Sequence, residues 1–167
     1  MDKQQLRKWA KDERSKLDIE ALSKKLVRKL KQTEEYKQAK NIMIFYPLKN
    51  EVNLLSLLED NNKTFYLPKI EGENMLCCKY SKGEPLCKSC FHTMEPVETN
   101  TSTPDLVIVP ALAVDKNNYR LGYGKGFYDR FLLTNKVKTV VCIPKQLIVE
   151  TTYPEEFDIP ADKVITI

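Results

Sequence analysis

Three of the five glycines in this 167-residue chain fall within residues 122–126, where they alternate with a tyrosine and a lysine. Glycine adopts positive φ angles freely and lets the backbone approach a ligand closely. Residues 105–115, which precede this glycine loop, form an apolar run typical of a buried strand, and residues 127–133 indicate the start of a helix. A glycine loop that holds Lys125 and opens a helix predicts an anion-binding site, because free N–H groups and the helix dipole both favour negative charge there.

The rest of the chain alternates between helical and strand-like segments. Residues 2–16 are predicted to be helical, Asp18 to cap a second helix, and Thr33 to cap a short third one. Asn53 is predicted to cap a short helix over 54–58, and about 71–100 is predicted to be polar loop apart from one strand of a hairpin. Strands are predicted over the runs 41–48, 64–70, 75–80, 105–115, 138–144 and 164–167. This order indicates one α/β domain over residues 1–167 with a mainly parallel sheet.

The glycine loop has a favourable place in such a sheet. Ligands of open α/β sheets bind beyond the carboxyl ends of the strands. The loop is expected to follow the strand that stops near Asp115. We therefore expect the functional site at this edge of the sheet.

Composition narrows the possible functional classes. The chain is 42% hydrophobic and 30% charged, as in soluble globular proteins. No apolar run reaches the roughly 18 residues that a membrane span needs. The charged N-terminus argues against a secretory signal, so we expect a cytoplasmic protein. A net charge of +4 is mild and suits an anionic small molecule or a weak polyanion contact equally well.

The five cysteines argue against a disulfide framework, because their number is odd and no secretory signal is present. Cys87 and Cys90, with His92 nearby, could form half of a zinc site. No second Cys/His pair has the right spacing, however, and His92 is the only histidine. Free thiols on a loop or hairpin are the better interpretation. A single histidine also gives little support to a Ser-His-Asp triad.

Five motifs resemble those of the 5-formyltetrahydrofolate cyclo-ligase family. In chain order they are KQQLR at 3–7, YPLKNE at 46–51, VPALAVD at 109–115, RLGYGKGFYDR at 120–130 and EFDIPADKVIT at 156–166. Because the matches are in order and span nearly the whole chain, the resemblance covers almost all of it. The glycine-loop motif is long and specific, unlike a bare GxGxG.

The resemblance implies a Rossmann-like α/β fold in three layers, similar to sugar-phosphate isomerases and CoA transferases. It implies a ligase of one-carbon metabolism that uses ATP and Mg²⁺. The implied reaction cyclises 5-formyltetrahydrofolate, a reduced folate, to 5,10-methenyltetrahydrofolate and releases ADP and phosphate. The formyl oxygen would first be phosphorylated, giving an imidate phosphate that the neighbouring N10 then closes.

The resemblance also implies roles for single residues. Lys125, flanked by glycines, would reach the γ-phosphate as a catalytic residue, and Arg120 would contact phosphate or brace the loop. The residues implied to contact ATP are Lys3, Arg7, Arg120, Gly122, Tyr123, Gly124, Lys125, Gly126, Phe127 and Tyr128. Without the resemblance, Lys3 and Arg7 would be interpreted as part of a solvated basic helix, since they share one helix face.

Folate and magnesium contacts are implied in the same way. Those implied for the folate are Tyr46, Glu51, Tyr123, Lys125 and Phe127, where a carboxylate suits the donor edge of a pterin and aromatic rings can stack on it. Asp129 and Asp158 are implied as Mg²⁺ ligands, since that ion prefers oxygen donors. Asp129 could instead serve only the helix dipole, Tyr46 could be a core aromatic, and Asp158 taken locally is a loop acid.

Three positions depart from the family pattern. Phe157 stands where the family commonly has histidine, so any role of that histidine is absent. Asn118 replaces a usual glycine, and asparagine tolerates the left-handed conformation. The region around Phe91 lacks the family's common Phe-Gly pair, which puts a folate lid in doubt.

Other functional classes remain open at this level. An enzyme such as a sugar-phosphate isomerase would keep the anion loop without needing ATP. A nucleic-acid-binding protein would use the basic N-terminal helix and lose affinity steeply with salt. A weak relative would only bind folate. We expect a small-molecule enzyme, with neither nucleic acid nor membrane as partner, that is a monomer or a weak homodimer.

Overall fold

Apolar side chains on the central strands divide between two buried clusters, one on each face of a sheet. The computed structural model describes residues 1–167. Along β6 (Leu106–Ile108), Leu106 and Ile108 belong to one cluster and Val107 to the other. β9 (Lys138–Ile143) repeats this division, as successive strand residues point to opposite faces. The sheet is therefore covered on both sides, which makes a three-layer molecule.

The main sheet has six strands. Their spatial order is β11 (Lys163–Thr166), β9, β6, β1 (Asn41–Met43), β2 (Thr64–Glu71) and β3 (Asn74–Lys79). Every neighbouring pair is parallel except β2 and β3, which form an antiparallel hairpin. The predicted α/β class with a mainly parallel sheet is confirmed.

Four α-helices pack on the two faces. They are α1 (Lys3–Ser15), α2 (Ile19–Lys31), α3 (Glu34–Gln38) and α4 (Phe127–Thr134). Side chains of α2 and α3 enter one cluster, and those of α1 and α4 enter the other. The carboxylate of Asp18 and the hydroxyl of Thr33 accept hydrogen bonds from the first turns of α2 and α3, as predicted. None of the helices has the length and apolar composition that a membrane crossing needs.

The predicted strand over 105–115 is wrong, because this run forms two strands in different sheets. β6 ends at Ile108, and β7 (Ala113–Asp115) belongs to a three-stranded sheet with β8 (Arg120–Leu121) and β10 (Ile148–Val149). Pro110 lies between them and has no N–H to donate to a ladder. The glycine loop therefore follows β8, the second strand of a hairpin with β7, and not a strand that ends near Asp115.

Other boundaries also differ from the predictions. β1 covers three residues of the predicted 41–48; Ile44 and Phe45 stay buried beyond its end, so the apolar run is longer than the strand. The helix predicted at 54–58 is a 3₁₀ helix, Leu55–Glu59, and a second one covers Lys145–Leu147. The N-cap residue of the first 3₁₀ helix is Leu54 and not the predicted Asn53, although the Asn53 side chain accepts a hydrogen bond from the N–H of Leu55 (2.9 Å).

A hairpin occupies part of the segment predicted as polar loop. Its strands are β4 (Leu86–Lys88) and β5 (Met94–Pro96), which pair in antiparallel register. These strands are only three residues long, and β4 is mostly exposed while β5 buries a glutamate and a proline, so neither shows the apolar alternation that predicts a strand.

Candidate functional site

A cavity of about 1100 Å³ lies beside the glycine loop. Its wall is formed by the start of α1, the loop after β1, the tip of the β4–β5 hairpin, the glycine loop with the start of α4, and the segment 153–158. Every residue that the sequence predicted to contact ATP, folate or magnesium lines this cavity. Parts of the chain from residue 1 to residue 158 therefore meet at one place.

The backbone of the glycine loop has conformations that glycine favours. Gly124 has a φ of 96° and Gly126, the N-cap residue of α4, has a φ of 73°. A Cβ atom at Gly124 would lie 3.3 Å from the guanidinium carbon of Arg7, and one at Gly126 would lie 2.7 Å from Nη1 of Arg130. These glycines thus allow arginine side chains to approach the loop, in addition to permitting its turns.

These two arginines hold the glycine loop in place. Nε of Arg7 donates a hydrogen bond to the Gly122 carbonyl (2.8 Å), which attaches α1 to the loop. Nη1 of Arg130 donates to the Lys125 carbonyl (2.9 Å), and its Nη2 donates to the carbonyl of Glu73 (2.9 Å) in the β2–β3 turn. The loop is therefore braced from α1 on one side and from the main sheet on the other.

Arg120 is a buried cation at the entry of the loop. Its side chain is 7% exposed, and Nη2 lies 3.2 Å from Oδ1 of Asp129. Its guanidinium carbon lies 5.5 Å from the ring centre of Tyr128. Burial lowers the pKa of Arg120, against the charge of Asp129. Its Nε is buried and has no hydrogen-bond partner.

Lys125 is exposed and forms no ion pair. Its Nζ lies 5.7 Å from the ring centre of Phe91, at the tip of the β4–β5 hairpin. The ring of Phe91 in turn meets that of Phe127 edge to face at 5.4 Å. The hairpin tip therefore touches the glycine loop through aromatic contacts, and the Lys125 ammonium is left available to an anion.

The carboxylate of Asp158 is paired with α1. Nζ of Lys3 lies 2.7 Å from Oδ2 of Asp158 and 3.2 Å from Oε1 of Glu155. Burial favours the protonated form of Asp158, but the Lys3 hydrogen bond and the N–H of Glu155 outweigh it and hold the pKa of Asp158 below its usual range. Asp158 is therefore an ionised carboxylate at neutral pH.

The acidic residues of the cavity suit a magnesium ion that takes only part of its coordination from the protein. Asp129 and Asp158 both line the wall, but no group of three or more His, Cys, Asp or Glu side chains is arranged to hold a metal. Magnesium usually keeps several waters and takes one or two carboxylates together with phosphate oxygens. The donor set therefore suits an ion completed by phosphates and not a cage made only of protein.

Glu51 lies at another part of the wall and is buried, with 6% of its surface exposed. A turn with Asn50 at a φ of 62° brings it back against Leu48, whose N–H donates to Oε1 (2.8 Å). The Tyr123 hydroxyl donates to Oε2 (2.8 Å). Burial raises the pKa of Glu51, while these hydrogen bonds and the Arg14 charge act in the opposite direction. Tyr46 lies on the same stretch of wall.

Sequence reasoning missed two arginines. Arg14 donates from Nη1 to the Tyr123 hydroxyl (3.0 Å), and Arg130 braces the loop. The buried residues of α1 are Leu6, Ala10 and Arg14, spaced by four. An arginine at the third position of an apolar stripe is a signal that could have separated Arg14 from the solvated lysines around it.

The departures from the family pattern have different outcomes. Asn118 adopts a φ of 67°, as expected for a residue that replaces glycine, and its carbonyl accepts from the N–H of Ala161 (2.9 Å). Phe157 is 69% exposed and does not line the cavity. The Phe91 ring contacts Phe127 at the start of α4 and lies 5.7 Å from Nζ of Lys125, although its Phe-Gly pair is missing.

Fold and site together define an α/β protein with a cleft in which cations gather around a glycine loop that opens a helix, an arrangement that suits an anionic ligand. The model of the 5-formyltetrahydrofolate cyclo-ligase family matches residues 1–167, and the chain belongs to this family. The resemblance that the motifs indicated is thereby confirmed.

Relatives and solved structures agree with this assignment. The chain is 31% identical to 5-formyltetrahydrofolate cyclo-ligase of Haemophilus influenzae over 75% of each chain. It is 34% identical to that of Mycoplasma pneumoniae over 80% of this chain and 78% of that protein. The NMR structure of Aquifex aeolicus 5,10-methenyltetrahydrofolate synthetase is similar with a TM-score of 0.86 and 34% identity, over 99% of this chain and 90% of that one.

Proposed function

We propose that this protein catalyses the ATP- and magnesium-dependent cyclisation of 5-formyltetrahydrofolate to 5,10-methenyltetrahydrofolate, with release of ADP and phosphate. Its place in the family supports this reaction. The observation that carries the proposal is the cavity itself, which joins a cationic glycine loop to a buried carboxylate. The loop suits the phosphates and the carboxylate suits the N–H donors of a pterin.

The proposed reaction has two steps. The formyl oxygen on N5 forms a bond to the γ-phosphorus of ATP while the bond to ADP breaks, which gives an imidate phosphate. N10 then attacks the formyl carbon and loses its proton to solvent, and phosphate leaves with the former formyl oxygen, which gives the positively charged methenyl bridge. Phosphorylation is needed because the oxygen of a formamide is otherwise a poor leaving group. The protein's contribution is positioning and charge stabilisation, as in other phosphoryl transfers.

Cations of the cavity would stabilise the charge that moves during transfer. Lys125 has no carboxylate partner, so its ammonium can meet the γ-phosphate. Arg120 carries a buried charge, and Arg7 and Lys3 extend the cationic wall along α1. Donors held in place before the reaction stabilise developing charge without reorganisation. We assign Lys125 and Arg120 as the catalytic residues.

Magnesium, when bound, neutralises phosphate charge during transfer. Asp129 and Asp158 are the carboxylates that would hold it, since both line the cavity close to cations of the phosphate wall. Each of them carries an ion-pair partner in this structure, so a ligand that brings phosphates can exchange those partners for a metal.

Folate would bind on the side of Glu51. Its carboxylate oxygens accept hydrogen bonds, which matches the N–H donors on the edge of a pterin. Tyr46, Tyr123 and Phe127 line the same cavity and provide ring surface. This placement would bring the formyl group towards Lys125, because Tyr123 belongs to both the glycine loop and the Glu51 contact.

The test is an absorbance assay with purified protein, 5-formyltetrahydrofolate and magnesium, with and without ATP. We expect the methenyl chromophore to appear only with ATP, together with equal amounts of ADP and phosphate. Binding of ATP without chromophore would contradict the proposed acceptor. No binding of ATP would contradict the assignment of the glycine loop. The predicted cytoplasmic location and monomeric or weakly dimeric state stay predictions.

A further inference from the structure

Arg14 is a buried arginine outside the cavity wall. Its surface is 5% exposed, in the last turn of α1, and its contacts point to the back of the site. Nη1 donates to the Tyr123 hydroxyl (3.0 Å), and the guanidinium carbon lies 5.9 Å from the centre of the Tyr123 ring. A buried charge far from solvent is costly unless it is matched by an opposite charge or well-placed acceptors.

The opposite charge lies one hydrogen bond further on. Tyr123 accepts from Arg14 and donates to Oε2 of Glu51 (2.8 Å), so three side chains form a directed chain from cation to anion. The other oxygen of Glu51 accepts from the Leu48 N–H (2.8 Å). Both oxygens are thereby fixed in direction, and the fixing groups come from α1, the glycine loop and the loop after β1.

The electrostatic surroundings of Glu51 are mostly neutral. From the glycine loop and α4, Tyr123 and Tyr128 face it as neutral phenols, because burial raises the pKa of both. From β9, the thiol of Cys142 is also neutral, since burial raises its pKa to about 12. Lys11 reaches only the ring of Tyr123, at 5.9 Å. Arg14 is the cation whose charge acts on Glu51.

We propose that Arg14 is a positioning residue for the folate-binding carboxylate: acting through Tyr123, it keeps Glu51 ionised and its oxygens oriented as acceptors. A buried carboxylate without a nearby cation favours its protonated form, which offers a donor where the pterin needs an acceptor. The role assigned to Glu51 rests on the proposed function, whereas the contact between Arg14, Tyr123 and Glu51 does not.

The hydrogen bonds from Arg14 through Tyr123 to Glu51 also link the proposed folate side of the cavity to the proposed ATP side. Tyr123 lies in the glycine loop, and α1 carries Lys3 and Arg7 at its other end. Any shift of Arg14 would therefore change Glu51 and the loop together. This arrangement explains why an arginine occupies a position of the α1 stripe that packing alone would give to leucine.

The first test is kinetic and uses the full chain with Arg14→Met, which keeps an apolar stem like that of arginine and removes the charged guanidinium. We expect the KM for 5-formyltetrahydrofolate to rise about 10- to 100-fold at neutral pH, with a smaller change in kcat. This is the size of effect expected when a hydrogen bond to a charged group is lost. Because Glu51 regains its charge as pH rises, the KM of Arg14→Met falls towards alkaline pH while that of the wild type stays level. Arg14→Lys restores part of the loss.

The second test needs no catalysis. Carboxyl carbons of ¹³C-labelled glutamates are titrated by NMR in the free protein, with the Glu51 signal assigned by its loss in Glu51→Gln. We expect Arg14→Met to raise the Glu51 midpoint by about one pH unit or more. If that variant does not fold, Tyr123→Phe serves instead, because it removes the hydroxyl between the two charges and must also raise the midpoint.

The outcomes separate the two proposals. An unchanged Glu51 midpoint in a folded variant overturns the role of Arg14, whether or not the enzyme is active. A raised midpoint with no ATP-dependent chromophore in the wild type keeps the Arg14–Glu51 contact and overturns the proposed function. A raised midpoint with a KM that does not depend on pH shows that Glu51 does not meet the folate, and the positioning role falls with it.

Discussion

The two sides of the cavity hold their charges in different ways. On the side of α1 and α4, Lys3 pairs with Asp158 and Arg120 with Asp129, so these two cations each have a carboxylate partner, whereas the exposed Lys125 of the glycine loop has none. On the other side, Glu51 has no cation in direct contact and is held by the Leu48 N–H and the Tyr123 hydroxyl. Charges that could bind a ligand are thus paired on one side and held by neutral donors on the other.

This difference indicates how each side prepares for its ligand. The Lys3–Asp158 and Arg120–Asp129 pairs are largely buried, so a partner can leave only when another charge replaces it, and phosphate together with metal supplies such charges. A buried carboxylate must keep its hydrogen bonds, because each unmade bond costs about 1–3 kcal/mol. The paired side is therefore adaptable, and the Glu51 side is fixed before the ligand arrives.

Lys125→Ala should have the largest effect on activity, because it removes the one cation of the glycine loop, which has no carboxylate partner. We expect kcat to fall about 10²–10³-fold, as for the removal of one preorganised donor to a transition state. The melting temperature should change little, since Lys125 is exposed. Steady-state kinetics and thermal unfolding measure both. Lys136→Ala, another exposed lysine without an ion pair, is the control. A collapsed melting temperature would contradict a purely chemical role.

Glu51→Gln should sharpen the contrast on the fixed side. The amide keeps the shape of the side chain but loses the charge, so the KM for the folate should rise about 10- to 100-fold. The KM for ATP should change much less, because the phosphate side keeps its cations. Glu98→Gln, at an exposed glutamate outside the cavity, is the control. Equal losses for both substrates would show that the two sides are not distinct.

Asp129→Asn tests whether the paired side exchanges its partners for a metal. We expect the magnesium concentration for half-maximal activity to rise about tenfold, as is typical when a group that supports a metal site is changed. The substitution also leaves Arg120 without its ion-pair partner. A magnesium titration at saturating ATP measures the effect. An unchanged titration removes Asp129 from the metal site.

Asp158→Asn should give the smallest of these effects, a loss of folding stability that depends on pH. The pKa of Asp158 lies below its usual range in the folded protein, so its ion pair stabilises the fold above the unfolded-state pKa of about 3.9. That contribution is lost as pH falls through the folded pKa. We expect the wild type to exceed the variant by at most about 1 kcal/mol at neutral pH, and the gap to close below about pH 4. Urea unfolding across this range measures it, and a gap that persists in acid would contradict the ion pair as its source.

The sequence allowed the sheet and the position of the site to be predicted, because both depend on local signals. Apolar runs showed which strands are buried, and the motif residues converged on one cavity. The run 105–115 was misassigned because burial does not reveal which strand pairs with which, and Pro110 divides it. Arg14 was missed for a related reason: charge suggested a solvated helix face, while its partner Tyr123 lies 109 residues away.

The cysteines offer one practical consequence of this fold. Cys87 and Cys90 are exposed on the β4–β5 hairpin, whereas Cys77, Cys78 and Cys142 are buried. Burial also raises the pKa of Cys77 and Cys142 to about 12, so their thiols stay unreactive at neutral pH. A fluorescent maleimide would therefore label the unaltered chain at the hairpin alone, beside the Phe91–Phe127 contact. The two exposed cysteines are therefore natural attachment points for a fluorescent reporter at the mouth of the cavity.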